Sequence, residues 1–184
     1  YCTRICCTTA VAQSIRIKKT HPDTNVYVLY RDIRTYAGRE VLYKEARELG
    51  VIFIRYSLDR KPEVKETADG LAVMVFDPIL QQNVEISTDY VSLATAIEPA
   101  DNNQLASLFK LPLNAENFLM EAHAKLRPVE FATDGIFLCG LAHYPKPMDE
   151  SIAQAMAAAS RAATVLAKDS IQVSPLVSQV DVDK

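Results

Sequence analysis

The stretch Gly135–Ala167, GIFLCGLAHYPKPMDESIAQAMAAASRAATVLA, decides how the chain is organised. Gly135–Cys139 reads as a buried strand, Gly140–Glu150 as a loop, and the alanine-rich remainder as a helix capped by Ser151. An apolar run ending in a glycine suits the carboxyl end of a parallel strand, where α/β proteins place their ligands. A helix beginning at Ser151 would present the backbone N–H groups of Ile152, Ala153 and Gln154 with a partial positive charge behind them. Such a terminus receives an electron-rich ring edge or an anion. Ala155, Ala157, Ala158, Ala159, Ala162 and Ala163 make this helix slim, so that a flat ring or another backbone can lie close to it.

These residues closely resemble the second flavin-contacting segment of the two-dinucleotide-fold flavoproteins, the thioredoxin-reductase-like group. In that group a Gly-Asp pair after a buried strand touches the ribityl chain of the flavin, and a helix start bearing Gln-Ala faces the pyrimidine edge of its ring. Gly140 and Gln154-Ala155 match, whereas Leu141 stands where the aspartate would. The wording GLAHYPK…DESIAQA is closer still to the HdrA family of heterodisulfide reductase, in which the departure at Leu141 is usual. The resemblance implies FAD as cofactor, with Gly140, Leu141, Ala142, His143, Lys146, Ser151, Ile152, Ala153 and Gln154 as its contacts. His143 and Lys146 fall in a loop stiffened by Pro145 and Pro147. Each reads either as a donor to the flavin or its phosphates or as an ordinary loop residue. Cys139 reads as a core residue at the strand end. His123 and Lys125 read as structural or surface groups.

A chain of 184 residues forms one domain, or at most two small ones. Hydrophobic residues at 49% and charged residues at 23% are those of a soluble globular protein. A net charge of -3 gives no support to nucleic acid or an anionic membrane as partner. No apolar run is long enough to span a bilayer, and no signal-peptide pattern occurs. Because the sequence starts at Tyr1, it is expected to be a piece of a longer protein. Three of the four cysteines lie in the first seven residues, which is no secreted disulfide framework and points to a reducing, cytoplasmic setting.

Those three, in YCTRICC, form a C-x3-C-C cluster at the start of a helical pattern carried by Ala10, Val11, Ser14, Ile15 and Ile17. A helix N-terminus and Arg4 both stabilise thiolates. Adjacent cysteines pair only with strain, whereas three thiolates can serve a cubane cluster that has one further ligand. The other reading is of small buried helix residues. In the HdrA family the same cluster follows an upstream cysteine, and the four bind a [4Fe–4S] cluster beside the flavin. The resemblance thus assigns Cys2, Cys6 and Cys7 as cluster ligands. Ala12 departs from the lysine that relatives often carry five residues after the cysteine pair, and Ala96 departs from their glycine.

Val26–Tyr30 and Val51–Tyr56 read as strands on either side of a helix over Gly38–Leu49 that Gly50 ends. This is the grammar of a parallel, nucleotide-binding sheet. Pro62–Thr67, Leu71–Phe76 and Asn83–Ile86 read as an antiparallel meander, with Asp69-Gly70 and Asp77-Pro78 as turns. Tyr90–Ile97 reads as a buried strand returning to the sheet, Asn102–Leu113 as a short helix and connector, and Phe118–Pro128 as a strand with polar interruptions.

The predicted fold is α/β, an incomplete FAD/NAD(P)-binding Rossmann-like parallel sheet with a small meander. The expected divisions are an NAD(P)-binding-like subdomain without its first strand over 1–99, its meander at about 61–87, a closing segment of the FAD domain over 100–168, and a linker over 169–184 towards a ferredoxin-like domain. No G-x-G-x-x-G occurs, so nicotinamide binding has no support in the sequence. The resemblance implies an oxidoreductase subunit that passes electrons between FAD and [4Fe–4S] clusters, in relatives with splitting of electron pairs between two acceptors. Its implied partners are other heterodisulfide-reductase-type subunits and an electron-donating hydrogenase or dehydrogenase, with pairing of two copies along an open sheet edge as a further expectation. Two other readings stay open: a pyridine-nucleotide-dependent flavin oxidoreductase of thioredoxin-reductase type, and a non-catalytic assembly module.

Overall fold

The computed structural model describes residues 1–172 and Ser178; most of the expected linker over 169–184 lies outside them. The chain forms two compact units, Tyr1–Ile97 and a second from Glu98 onward.

In the first unit, α1 (Cys6–Thr20) buries Val11, Ser14 and Ile15. Their i, i+3, i+4 spacing puts them on one stripe. That stripe packs with Ala46 of α2 (Glu40–Glu48) and with Val51. A short 3-10 turn, Ala37–Arg39, leads into α2. At its end the Gly50 amide donates to Arg47 O and the Val51 amide to Ala46 O, both at 3.0 Å, closing the last turn as the sequence predicts. The two strands flanking α2, β1 (Tyr27–Tyr30) and β2 (Ile52–Arg55), pair in parallel with Tyr27 opposite Ile52 and Tyr30 opposite Arg55. This is the expected β–α–β layer.

The meander follows as β3 (Glu63–Thr67), β4 (Gly70–Asp77) and β5 (Gln82–Thr88), antiparallel in that order. Asp77 shapes the second turn, where its carboxylate accepts the Ile79 amide at 2.7 Å and the Leu80 amide at 3.1 Å. Val73 and Val75 of β4 join Ile86 of β5 and Ile54 of β2 in one core, which fastens the meander to the parallel layer. The expected α/β class, a parallel layer beside a small antiparallel meander, is what the chain adopts.

The expected strand Tyr90–Ile97 does not form: Tyr90 is 90% exposed and Leu93 77%. Its apolar residues mimic a buried strand, but no described strand offers a ladder for its backbone.

In the second unit, α3 (Asn103–Phe109) and α4 (Met148–Leu166) flank a long irregular stretch. Its core joins Ala106, Leu111, Leu119, Phe131 and Leu138. Phe118–Pro128 is not a strand; it holds two isolated bridges, Leu113 with Leu119 and His123 with Arg127. Side chains bend the backbone there. Asn114 Oδ1 accepts the amides of Glu116 and Phe118, and His123 Nδ1 those of Lys125 and Leu126.

Gly135–Cys139 is likewise not a parallel strand. Asp134-Gly135 makes a turn, with Gly135 at φ +83°, and the chain folds back antiparallel: Leu138 donates to Val129 O at 2.9 Å and Phe131 to Ile136 O at 3.2 Å. The Asp-Gly pair between two apolar runs is a hairpin signal that the apolar run itself obscured. Leu138 is buried but Cys139 is exposed, so Cys139 is not the core residue expected.

Candidate functional site

Helix α4 begins three residues before the expected cap. Pro147 occupies the cap position, Asp149 and Glu150 lie in the first turn, and the Ser151 amide donates to Pro147 O at 2.9 Å. Proline is suited to a helix start and acidic residues to its positive end, which outweighs the capping preference of Ser151. The amides of Ile152, Ala153 and Gln154 therefore lie beyond the first turn, inside the helical hydrogen-bond pattern. They do not form the expected anion-receiving end.

The side chains of the loop make a connected network instead. Gly140 opens a 3-10 turn, Gly140–Ala142, at φ +67°. Its amide donates to Gln154 Oε1 at 2.9 Å, so a side chain from the second turn of α4 reaches back over the loop. Gln154 Nε2 lies 2.7 Å from His143 Nδ1, and His143 Nε2 lies 2.8 Å from Glu121 Oε2. On the other side of the same residue, Lys146 Nζ donates to Gly140 O and to Tyr144 O, each at 2.7 Å. Lys146 is 7% exposed, so its charge is turned inward onto carbonyl oxygens rather than out toward a ligand. Phe118 supports the loop, its ring 5.0 Å from that of Tyr144.

Of the candidate flavin contacts, the structure thus joins Gly140, His143, Lys146 and Gln154 through hydrogen bonds. It leaves Leu141, Ala142, Ile152 and Ala153 exposed, and Ser151 in the body of the helix. The sequence gives no sign of Glu121, whose partner is 22 residues away, beyond any local spacing rule. A Cβ built on Gly140 would meet nothing within 4 Å, so the loop backbone there is open to approach. That opening, beside exposed Leu141 and Ile152, suits the edge and face of a flat ring. The inward Lys146 does not suit a phosphate.

At the other candidate site, Cys6 and Cys7 occupy the first turn of α1. The Arg4 amide meets Cys2 Sγ at 3.4 Å, while the Arg4 guanidinium turns to the Tyr36 hydroxyl at 3.0 Å. Burial pushes the Cys7 thiol above its ordinary pKa; the Arg34 amide opposes this, and the neighbouring Cys6 and Cys2 raise it further. The Cys7 thiol therefore senses the charge of the other two. Among the described residues no group of three His, Cys, Asp or Glu converges where a single metal ion could sit. A cubane cluster takes one cysteine per iron and so spreads its ligands apart. The donor chemistry fits three ligands of such a cluster.

A third feature carries no motif in the sequence. A cavity of about 600 Å³ lies beyond the carboxyl ends of β1 and β2, lined by Arg31, Asp32, Arg55, Arg60 and Phe76 among others. Arg55 Nε donates to Arg31 O at 3.0 Å, and Arg60 lies over the Phe76 ring at 4.2 Å.

Known proteins resemble the chain from end to end in sequence, although no family model matches it. It is 38% identical over 190 residues to a heterodisulfide reductase HdrA-like protein of Archaeoglobus profundus. It is also 38% identical over 187 residues to the HdrA component of the H2:CoB–CoM heterodisulfide,ferredoxin reductase of Methanothermobacter marburgensis. A third relative, the HdrA iron-sulfur component of the CoB–CoM heterodisulfide reductase of Methanocaldococcus jannaschii, is 38% identical over 189 residues. Each comparison takes in 100% of this chain. Over its whole length the chain is similar to HdrA-like proteins. It spans 26% of the length of the first relative and 28% of the other two, about a quarter of each. The thiol cluster and the Gly140 loop therefore lie within one continuous similarity. Among the described residues no helix is long and apolar enough to cross a membrane.

Proposed function

We propose that the chain is part of an HdrA-like oxidoreductase subunit that moves electrons between FAD and a [4Fe–4S] cluster in a heterodisulfide-reductase-type complex. The supporting observation is the set of three thiols at the head of α1, in a chain whose relatives include one named an iron-sulfur subunit. Cys2, Cys6 and Cys7 would hold three irons, with a fourth ligand from outside these residues. The Gly140–Ala142 turn, His143 and Gln154 would meet the ring of FAD. When bound, the two groups supply two-electron and one-electron chemistry. The hydrogen bonds around Gly140 would hold the loop backbone in place against the ring. The division into an NAD(P)-binding-like part over 1–99 and an FAD-domain segment over 100–168, cytoplasmic residence, and splitting of electron pairs belong to this proposal. So do partner subunits and a hydrogenase or dehydrogenase as electron source; names among the relatives include ferredoxin and F420H2.

The test is a visible spectrum of the protein at its full natural length, purified without oxygen, with iron and sulfide assays. Flavin bands together with broad iron–sulfur absorption that weakens in Cys2→Ser, Cys6→Ser or Cys7→Ser are the expected result. Flavin with no response to these substitutions would remove the cluster from the reading. The second reading, a pyridine-nucleotide-dependent flavin oxidoreductase, draws on the arginine-lined cavity beyond β1 and β2. It requires that NADH or NADPH bleach the flavin.

A further inference from the structure

We propose that Glu121 is a positioning residue for the flavin edge, acting through His143 and Gln154 on the Gly140 amide; this rests on the functional reading above. The argument is one of hydrogen-bond direction. A backbone amide can only donate, so the group facing the Gly140 N–H at 2.9 Å must be the Gln154 oxygen. That fixes the Gln154 amide, and its NH2 must be what faces His143 Nδ1 at 2.7 Å. Nδ1 must then accept, and the ring proton must sit on Nε2, where it donates to Glu121 Oε2 at 2.8 Å. Each group has one orientation compatible with the next. The carboxylate, which can only accept, sets the sense of the whole series. Glu121 is placed for this by the Leu119 amide, which donates to Ala142 O at 3.1 Å and draws its segment alongside the loop.

The alternative arrangement has a definite consequence. A proton on His143 Nδ1 would require Gln154 to turn over and present its oxygen to the ring. The Gln154 NH2 would then face the Gly140 N–H, donor against donor, and the amide would lose its acceptor. The Glu121 carboxylate suppresses that arrangement because it needs the Nε2 proton. Substitution by glutamine preserves shape but can donate as well as accept, so both orientations of the series become available.

The experiment uses E121Q in two settings. In the 184-residue chain labelled with 15N-histidine, long-range proton–nitrogen spectra should show the Nε2–H tautomer of His143 in the parent sequence and both tautomers in E121Q. Amide exchange at Gly140 should become about fivefold faster, the equivalent of one modest hydrogen bond. In the protein at full natural length, E121Q should shift the flavin's midpoint potential and absorption maxima without loss of bound flavin. An Nδ1–H tautomer in the parent sequence, or unchanged Gly140 exchange in E121Q, overturns the hydrogen-bond series. An intact series with an unmoved flavin potential overturns the positioning role. Absence of flavin from the natural-length protein instead overturns the functional reading, and with it the flavin part of this proposal, while the tautomer measurement still decides the series.

Discussion

Replacing Phe118 with alanine tests how the loop carrying Gly140, His143 and Lys146 is held. Phe118 is 1% exposed, and its ring lies 5.0 Å from that of Tyr144 at an interplanar angle of 54°. Truncating a fully buried phenylalanine costs ~3–5 kcal/mol, the sum of lost transfer energy and an incompletely closed cavity. The contact between the rings accounts for ~0.5–1.5 kcal/mol of that. Total stabilities run to about 5–15 kcal/mol, so F118A removes a large part of the margin. Urea unfolding at 25 °C followed by far-ultraviolet circular dichroism gives the loss. Tyr144→Leu and the double variant complete a cycle, and the expected coupling is ~0.5–1.5 kcal/mol. A loss under about 1.5 kcal/mol for F118A would refute the close packing of this core. Full additivity within the cycle would remove the ring contact as the loop's support.

Two further outcomes follow from charged and thiol groups. Glu130 is buried between Arg127, at 2.6 Å, and Arg161 of α4. Arg127 and then Arg161 hold its carboxyl below the usual glutamate pKa. Its contribution is therefore fully present above the ordinary glutamate range and lost as pH falls through the lower folded value. Acid titration of stability should show the unsubstituted chain losing more than Glu130→Gln over that interval; parallel curves would contradict the pairing. For the metal-free chain at neutral pH, iodoacetamide should label exposed Cys139 before Cys7, whose thiol burial pushes up. Mass spectrometry of timed samples gives the order, and Cys7 reacting first would overturn it.

Local pattern was enough for the helices and strands of the first unit as far as Thr88. The apolar spacing of Val11 and Ile15, the β-branched and aromatic runs of β1 and β2, and the glycine after α2 each act within a few residues of one another. The Asp-Gly and Asp-Pro turns did the same for the meander. The family motifs GLAHYPK…DESIAQA and C-x3-C-C were legible for the same reason, since the chemistry of a loop or a helix start is written in adjacent residues.

What tertiary structure alone decided lies mostly in the second unit. Whether an apolar run such as Gly135–Cys139 or Tyr90–Ile97 becomes a strand depends on a partner for its backbone. The first found an antiparallel return across Asp134-Gly135, and the second found none among the described residues. Pro147 and the acidic residues after it settled the start of α4 in competition with Ser151. The direction of Lys146, the exposure of Cys139 and the joining of Glu121 to His143 were likewise beyond the sequence. Hydrogen bonds between residues far apart in the chain depend on how the backbone returns, and no local spacing encodes that return. The sequence by itself determined most α/β elements of the first unit, the family resemblance and the candidate chemistry; the fold decided which of those groups face one another.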